Sequence, residues 1–293
     1  SPEAARGALA AAGCYLIWGL VPLYWRLLAG NDATELIAHR ALWSLAFLAP
    51  LVAAQRLAGE IRAGLATPRA LGANLLSAAL LTGNWLVYVW AVNTGHVIES
   101  SLGYFLVPLV NVALGRFVLH ERLRRLQWLA IACAAAGVLL MIAQLGRLPW
   151  IALGLAGTFG AYGLMRKKSP LGSLAGLTVE ALLMAPCALA LLLWQHHTGA
   201  GALGRADAAT HALLVSSGVI TAIPLLLFGY GARRIRLTTL GLLQYLGPTV
   251  QFALGVWVFH EPFSLGRASG FVLIWAGLAL YTVDNLRGTR ARP

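Results

Sequence analysis

Charge is what this sequence has least of. Charged residues fill only 11% of its 293 positions, against about 25% in a soluble domain. The acids are scarcest, with ten Asp and Glu against 22 Lys and Arg, for a formal net charge of +12. Hydrophobic residues reach 59% and mean hydropathy is +0.75, which excludes a water-soluble globular domain and puts the chain in lipid. The basic residues sit in short clusters between apolar runs, as in cytoplasmic loops and unlike a nucleic-acid face, so no nucleic-acid partner is expected. The three cysteines, Cys14, Cys133 and Cys187, all fall in apolar runs without metal-ligand spacing. They read as free, buried thiols, and neither metal nor cofactor is expected. No Walker A motif is present, which excludes ATP hydrolysis by this chain. Gly-x-Ser-x-Gly and His-Glu-x-x-His are missing too, and His196-His197 has no third ligand at sensible spacing, so an enzyme is not expected. No cleavable signal pattern is visible, and the start at Ser1 in place of Met leads to the expectation that a few native residues precede it.

What the chain does have is a duplication. SLGYFLVPLVNVALGRFVLHERL, from Ser101 to Leu123, returns as GLLQYLGPTVQFALGVWVFHEPF, from Gly241 to Phe263, at a constant offset of 140. That register puts Pro108 on Pro248, Ala113-Leu114-Gly115 on Ala253-Leu254-Gly255 and His120-Glu121 on His260-Glu261. It continues into the next apolar run, where Ala136-Gly137 meets Ala276-Gly277. Apolar composition alone would repeat Leu and Ala, but not a proline, a glycine and a His-Glu pair in one register.

Ten apolar runs are long enough to cross a bilayer: roughly 8–28, 34–55, 71–92, 98–119, 126–145, 149–166, 172–194, 209–231, 237–259 and 266–286. With the N-terminus inside, sixteen Lys and Arg fall on the cytoplasmic side and four (Arg26, Arg147, Arg205 and Arg267) outside, with Arg40 and Arg116 inside helices. That bias makes both termini cytoplasmic. Five helices per repeat is an odd number, so the second copy must lie upside down relative to the first. The expected fold is an all-α membrane protein of ten transmembrane helices, built as two inverted five-helix repeats (residues 1–146 and 147–293) around a central cavity. Such symmetry suits alternating access. A channel or receptor is the weaker reading, since nothing resembles a selectivity filter.

Polar residues inside the runs mark the candidate site. The third run places Asn84 and Tyr88 on one face with Trp85 beside them. The fourth aligns Tyr104, Pro108 and Asn111, and its duplicate aligns Gln244, Pro248 and Gln251. A buried amide in lipid needs a partner, so these residues read either as bonds between helices or as the lining of a hydrated cavity. The substrate-binding set is Trp18, Asn84, Tyr88, Tyr104, Asn111, Tyr162, Gln244 and Gln251. It is aromatic and uncharged, because fixed charges would hold a zwitterionic ligand too tightly to release. The first run carries Gly13, Leu16, Gly19 and Pro22 at every third position, and the sixth carries Gly154, Gly157, Gly160 and Gly163, offset by 141. Small residues let helix backbones approach closely. Tight packing is one reading; the other makes Gly19, Pro22, Pro108, Gly160 and Pro248 points at which helices flex beside the substrate path.

Glu35 and His39 stand one helical turn apart with Arg40 adjacent, near the outer surface, and Glu99 lies on the same side. They read as a charge cluster clamping the outer mouth, or as an external gate responsive to protons through His39. Glu180, roughly 12 Å from the cytoplasmic end of its helix, is expected to pair with Arg40 or to titrate during transport. The absence of an acidic cluster within the membrane favours facilitated or weakly coupled export.

IWGLVPLYWRLL, ELIAHRALWS, WAVNTGHVIESSLGYFLVPLVNV, GLTVEALLMAP, TAIPLLLFG and LGLLQYLGPTVQF…HEPFS together resemble the RarD branch of the EamA-type transporters, in the drug/metabolite transporter superfamily. The resemblance covers nearly the whole chain and extends, more distantly, to YddG-type exporters of aromatic and other amino acids. It implies a multi-pass carrier of the bacterial inner membrane that exports a small molecule, amino acids foremost and drugs or other metabolites as the alternative. It brings no catalytic residues with it. Membrane lipid and the substrate are the expected partners, and a monomer is expected.

Overall fold

The computed structural model describes residues 2–94, 96–202, 205–258 and 265–290, and all regular structure among them is helical. The duplicated corner at His260-Glu261 lies outside the described residues. Each of the ten apolar runs is helical: α1 (Pro2–Leu27), α2 (Ala33–Ala54), α4 (Pro68–Asn93), α5 (Val97–Ala113), α6 (Arg125–Leu145), α7 (Trp150–Lys168), α8 (Ser173–Thr198), α9 (Ala208–Arg234), the pair α10 (Leu237–Gln244) and α11 (Leu246–Trp257), and α12 (Leu265–Arg290). A further short helix, α3 (Ala58–Leu65), occupies what reads in the sequence as a basic loop. Seven helices among the described residues are long and apolar enough to cross a membrane. The exceptions include α7, whose last turn is Arg166, Lys167 and Lys168, and the ninth run, which breaks at Tyr245. A π-helical turn, Leu114–Val118, ends α5.

The helix ends follow their residues. Asp32 accepts the amides of Thr34 (2.9 Å) and Glu35 (3.0 Å) to start α2, and Asp207 accepts that of Thr210 (2.8 Å) to start α9. Each satisfies donors that a helix N-terminus leaves open. Gly146 and Gly199, at φ 70° and 68°, close α6 and α8 in the left-handed conformation that glycine adopts without a Cβ penalty.

Helix packing follows the duplication. Helix α1 packs on α9 and α11, while α7, its counterpart, packs on α4 and α5; α2 packs on α8, and α6 on α12. The close approaches occur at glycines. A Cβ on Gly19 would stand 2.6 Å from Val250 Cβ, and one on Gly160 would stand 2.5 Å from Val110 Cγ1. One on Gly137 would meet the Gly270 carbonyl at 2.6 Å, and one on Gly277 the Ala130 carbonyl at 2.5 Å. Without a hydrophobic drive between helices in lipid, such contact between small residues does the work of packing. The stripe on α7 divides: Gly160 and Gly163 face neighbouring helices, whereas a Cβ on Gly154 or Gly157 would meet nothing. Tight packing therefore accounts for Gly19 and Gly160, and half of the expected stripe faces outward.

Substitutions on α7 should separate the two faces. Gly160→Leu must push α7 off α5, costing about 1–3 kcal/mol as overpacking. Gly157→Leu should stay within about 0.5 kcal/mol of wild type. Thermal unfolding in detergent micelles reads both, and equal losses would contradict this packing.

Candidate substrate cavity

The proline at position 22 has no N–H for the carbonyl of Trp18, four residues back. Gln251 of α11 supplies the donor, with its Nε2 3.2 Å from that oxygen. The bond ties α1 to α11 beside a cavity of about 370 Å³, walled by α1, α2, α4, α5, α7, α9, α10 and α11, within the usual range for small-molecule sites. Trp18, Asn84, Tyr88, Tyr104, Gln244 and Gln251 all line it, as do Pro22 and Pro248. Helix pitch explains the selection: Asn84 and Tyr88 share a face of α4, and Gln244, Pro248 and Gln251 share one across the α10–α11 break.

Two residues of the expected set sit elsewhere. Asn111 is fully buried behind the wall, where its Nδ2 donates to Gln244 Oε1 (3.1 Å) and orients that amide. Tyr162, also buried, turns away to donate to Glu180 Oε2 (3.2 Å) and stacks on Phe228 with ring centroids 5.7 Å apart. Asn84 is held in turn by Nδ2 bonds to the Leu155 carbonyl (2.8 Å) and Thr158 Oγ1 (3.0 Å). Tyr15, Trp18, Phe159 and Phe228 form an aromatic cluster next to these groups, with Trp18 edge-on to Phe159 at 5.6 Å.

The ionisable residues divide into three places. At the end where α2 begins, Glu35 accepts the Ala202 amide (2.7 and 3.0 Å) and lies 3.7 Å from His39 Nε2, while His39 Nδ1 accepts from Trp43 (3.2 Å). Glu99 accepts from Arg147 (2.9 Å) and from the Ile151 amide (2.8 Å). Both carboxylates tie loops to helices.

Arg40 leaves this cluster and turns into the cavity wall. Its guanidinium carbon lies 4.9 Å from the Trp25 ring and 4.4 Å from the Trp85 ring, and its Nε donates to Thr221 (2.9 Å). The expectation of a cavity without fixed charge is thus overturned.

Glu180 lies in the third place. It is not paired with Arg40, because α2 and α8 pack antiparallel. Gln195, near the end of α8, donates to Asp32 (3.2 Å) and Thr34 (3.3 Å) at the start of α2. Arg40 and Glu180 each sit about 10 Å inside the first residue of helices more than 30 Å long, and so at opposite depths. The partner is Arg166, counted in the sequence as a loop cation but 2% exposed. Glu180 Oε1 accepts from Ser77 (2.6 Å) and Arg166 (3.4 Å), and Arg166 also donates to the Gly172 carbonyl (3.2 Å). A signal for Arg166 exists: it continues the every-third-residue stripe of Gly154, Gly157, Gly160 and Gly163. The role of Trp25 and Thr221 leaves no comparable trace, since it depends on where Arg40 points.

Comparison with known proteins gives this build its class. Residues 5–143 match the EamA-like transporter family. Protein RarD of Streptomyces exfoliatus is 46% identical over 98% of this chain and 91% of its own. The uncharacterized transporter YojE of Bacillus subtilis (strain 168) is 42% identical over 99% and 97%, and protein RarD of Escherichia coli (strain K12) is 39% identical over 96% and 95%. One solved crystal structure shares the fold with TM-score 0.75 over 95% of this chain and 98% of that one, at 19% identity. By that family and those relatives, this bundle of apolar helices around an aromatic, polar-studded cavity is a multi-pass membrane transporter and not an enzyme. The chain belongs to the EamA-like transporter family, in its RarD branch.

The buried ion pair makes a prediction. Glu180→Leu leaves Arg166 charged and unpaired and should cost about 3–5 kcal/mol of stability. Adding Arg166→Met should recover most of the loss, since apolar replacement of a whole buried pair is close to neutral. Failure of the double variant to recover in a thermal-unfolding cycle would contradict the pairing.

Proposed function

We propose that the chain is a secondary carrier of the bacterial inner membrane that exports small metabolites, amino acids including aromatic ones foremost. In this reading, residues 1–146 and 147–293 form two inverted five-helix repeats, and all ten apolar runs cross the membrane. The observation that carries it is the pairing of equivalent contacts. Gly19 on Val250 matches Gly160 on Val110, and Gly137 on the Gly270 carbonyl matches Gly277 on the Ala130 carbonyl, each at the sequence offset of 140 or 141. Two halves that meet through equivalent surfaces can exchange roles, and exchange of roles is alternating access.

The direction of opening follows from the charges. Arg236 donates to the Arg122 carbonyl (3.2 Å) and Lys167 to that of Ala232 (3.3 Å), so three basic clusters gather at one end of the bundle. By the positive-inside rule this end is cytoplasmic. The cavity lies toward the other end, beside Trp25, Ala33 and Leu36, with Glu180, Arg166, Tyr162 and Phe228 closing the inner half. That arrangement describes an outward-facing state. Trp18, Asn84, Tyr88, Tyr104, Gln244 and Gln251 then offer aromatic surface and hydrogen bonds to the ligand, with Asn111 positioning Gln244. Glu35, His39 and Glu99 hold the outer mouth.

Two measurements test this. In a cysteine-free background, Lys168→Cys should resist impermeant maleimide in intact cells while Arg205→Cys reacts; the reverse pattern would sink the orientation and the inverted repeat. Proteoliposomes loaded with labelled phenylalanine should release it faster than protein-free vesicles, with little change under a pH gradient. No release of any amino acid would remove the substrate reading, and gradient-dependent release would replace facilitated export by proton coupling.

A further inference from the structure

Arg40 is a cation in the cavity wall without a carboxylate of its own. The described acids that could neutralise it are engaged elsewhere: Glu35 with Ala202 and His39, Glu99 with Arg147 and Ile151, Glu180 with Arg166. Among the described residues no ion pair reaches Arg40. What holds it is a pair of indole rings, Trp25 and Trp85, and one bond from Nε to Thr221. Cation–π contacts stabilise a guanidinium in a place of low polarity. Thr221 takes up only the Nε position. Among the described residues, no hydrogen bond occupies the two terminal amino groups, whose edge is the one that takes a carboxylate with two parallel bonds.

The cavity that Arg40 lines is aromatic. Tyr88 and Tyr104 line the same cavity as Arg40, with ring centroids 5.7 Å apart, and Trp18 and Phe159 form apolar wall. We infer that Arg40 is the specificity-determining residue of the cavity and binds the carboxylate of an organic acid whose flat, apolar body lies against these rings. The inference rests on the reading of the cavity as the ligand site. It replaces an uncharged site by one that selects for a negative head group. An amino acid meets the requirement through its carboxylate; an amine or an uncharged aromatic does not.

The test needs no membrane gradient. Purified protein in detergent is titrated with 3-phenylpropionate, with 3-phenylpropan-1-ol and with phenethylamine, and binding is read by quenching of tryptophan fluorescence and by calorimetry. The acid should bind roughly 10- to 100-fold more tightly than the alcohol, the range expected for charge-assisted hydrogen bonds. Arg40→Gln should abolish that preference while leaving the alcohol's affinity little changed. Arg40→Lys should keep part of the preference, because it retains charge and loses the two-pronged geometry. Equal binding of acid and alcohol, no binding of the acid at millimolar concentrations, or a preference that survives Arg40→Gln would each overturn the assignment. Should Arg40→Gln fail to run as a single species on size exclusion, Arg40→Lys carries the assignment, and a preference undiminished in that variant would overturn it. A protein that binds the acid through Arg40 yet releases no amino acid from vesicles would sink the export reading and leave this one standing.

Discussion

A carboxylate inside a lipid-embedded bundle must be bonded, and most of the described acids in this chain are bonded across its middle. Glu35 takes the amide of Ala202, Glu99 that of Ile151, and Glu121 those of Leu237 (2.7 Å) and Thr238 (3.0 Å). Glu60 accepts the amide of Gly172, Asp284 pairs with Arg124 (2.6 Å), and Glu180 joins Ser77 on α4 to Arg166 on α7. Each of these links a residue before 146 to one after it. The acids are therefore fastenings between the two halves of the sequence, placed at both ends of the bundle and below the cavity. Their small number is a consequence: an acid without such a partner would cost several kcal/mol in this setting.

The cavity exists because two other demands are met by side chains. Pro22 withholds a donor from the Trp18 carbonyl, and Gln251 supplies one. Asn111, buried deep, spends its amide on Gln244. Polar groups that would otherwise disrupt the bundle are thereby turned into its internal bonds. The break between α10 and α11 at Tyr245 lets Gln244 and Gln251 reach the same space from two short helices.

Much of this was legible in the sequence, and the reason is periodicity. Helical spacing put Asn84 with Tyr88 and Gln244 with Gln251, and six of the eight expected cavity residues line it. Spacing failed where position depends on a partner helix. Tyr162 lies on the buried side of α7, and its hydroxyl reaches across to Glu180 of α8. Asn111 lies deep enough in α5 to be covered by α10. Arg166 counted as a loop charge because three cations end α7, although its own side chain folds inward. Arg40 sat next to Glu35 and His39 in sequence, yet adjacent positions on a helix point about 100° apart, and that turn carries it from the outer mouth into the cavity. The short helix α3 escaped notice because eight residues with one arginine give too little pattern to read.

Arg40 and Glu180 occupy the same position in the duplicated sequence, 140 residues apart, and carry opposite charges. One is open to the cavity and the other is neutralised by Arg166, so the path through the bundle is electrostatically lopsided. In the proposed alternating-access reading, an anion then has unequal affinities for the two faces of the carrier. On that proposal, thermodynamic linkage makes the inequality the same factor by which the bound anion shifts the balance between the two proposed conformations. The ligand that fits best on the Arg40 side is thus also the one that holds the carrier there longest, and turnover favours a cargo of intermediate grip over the tightest one.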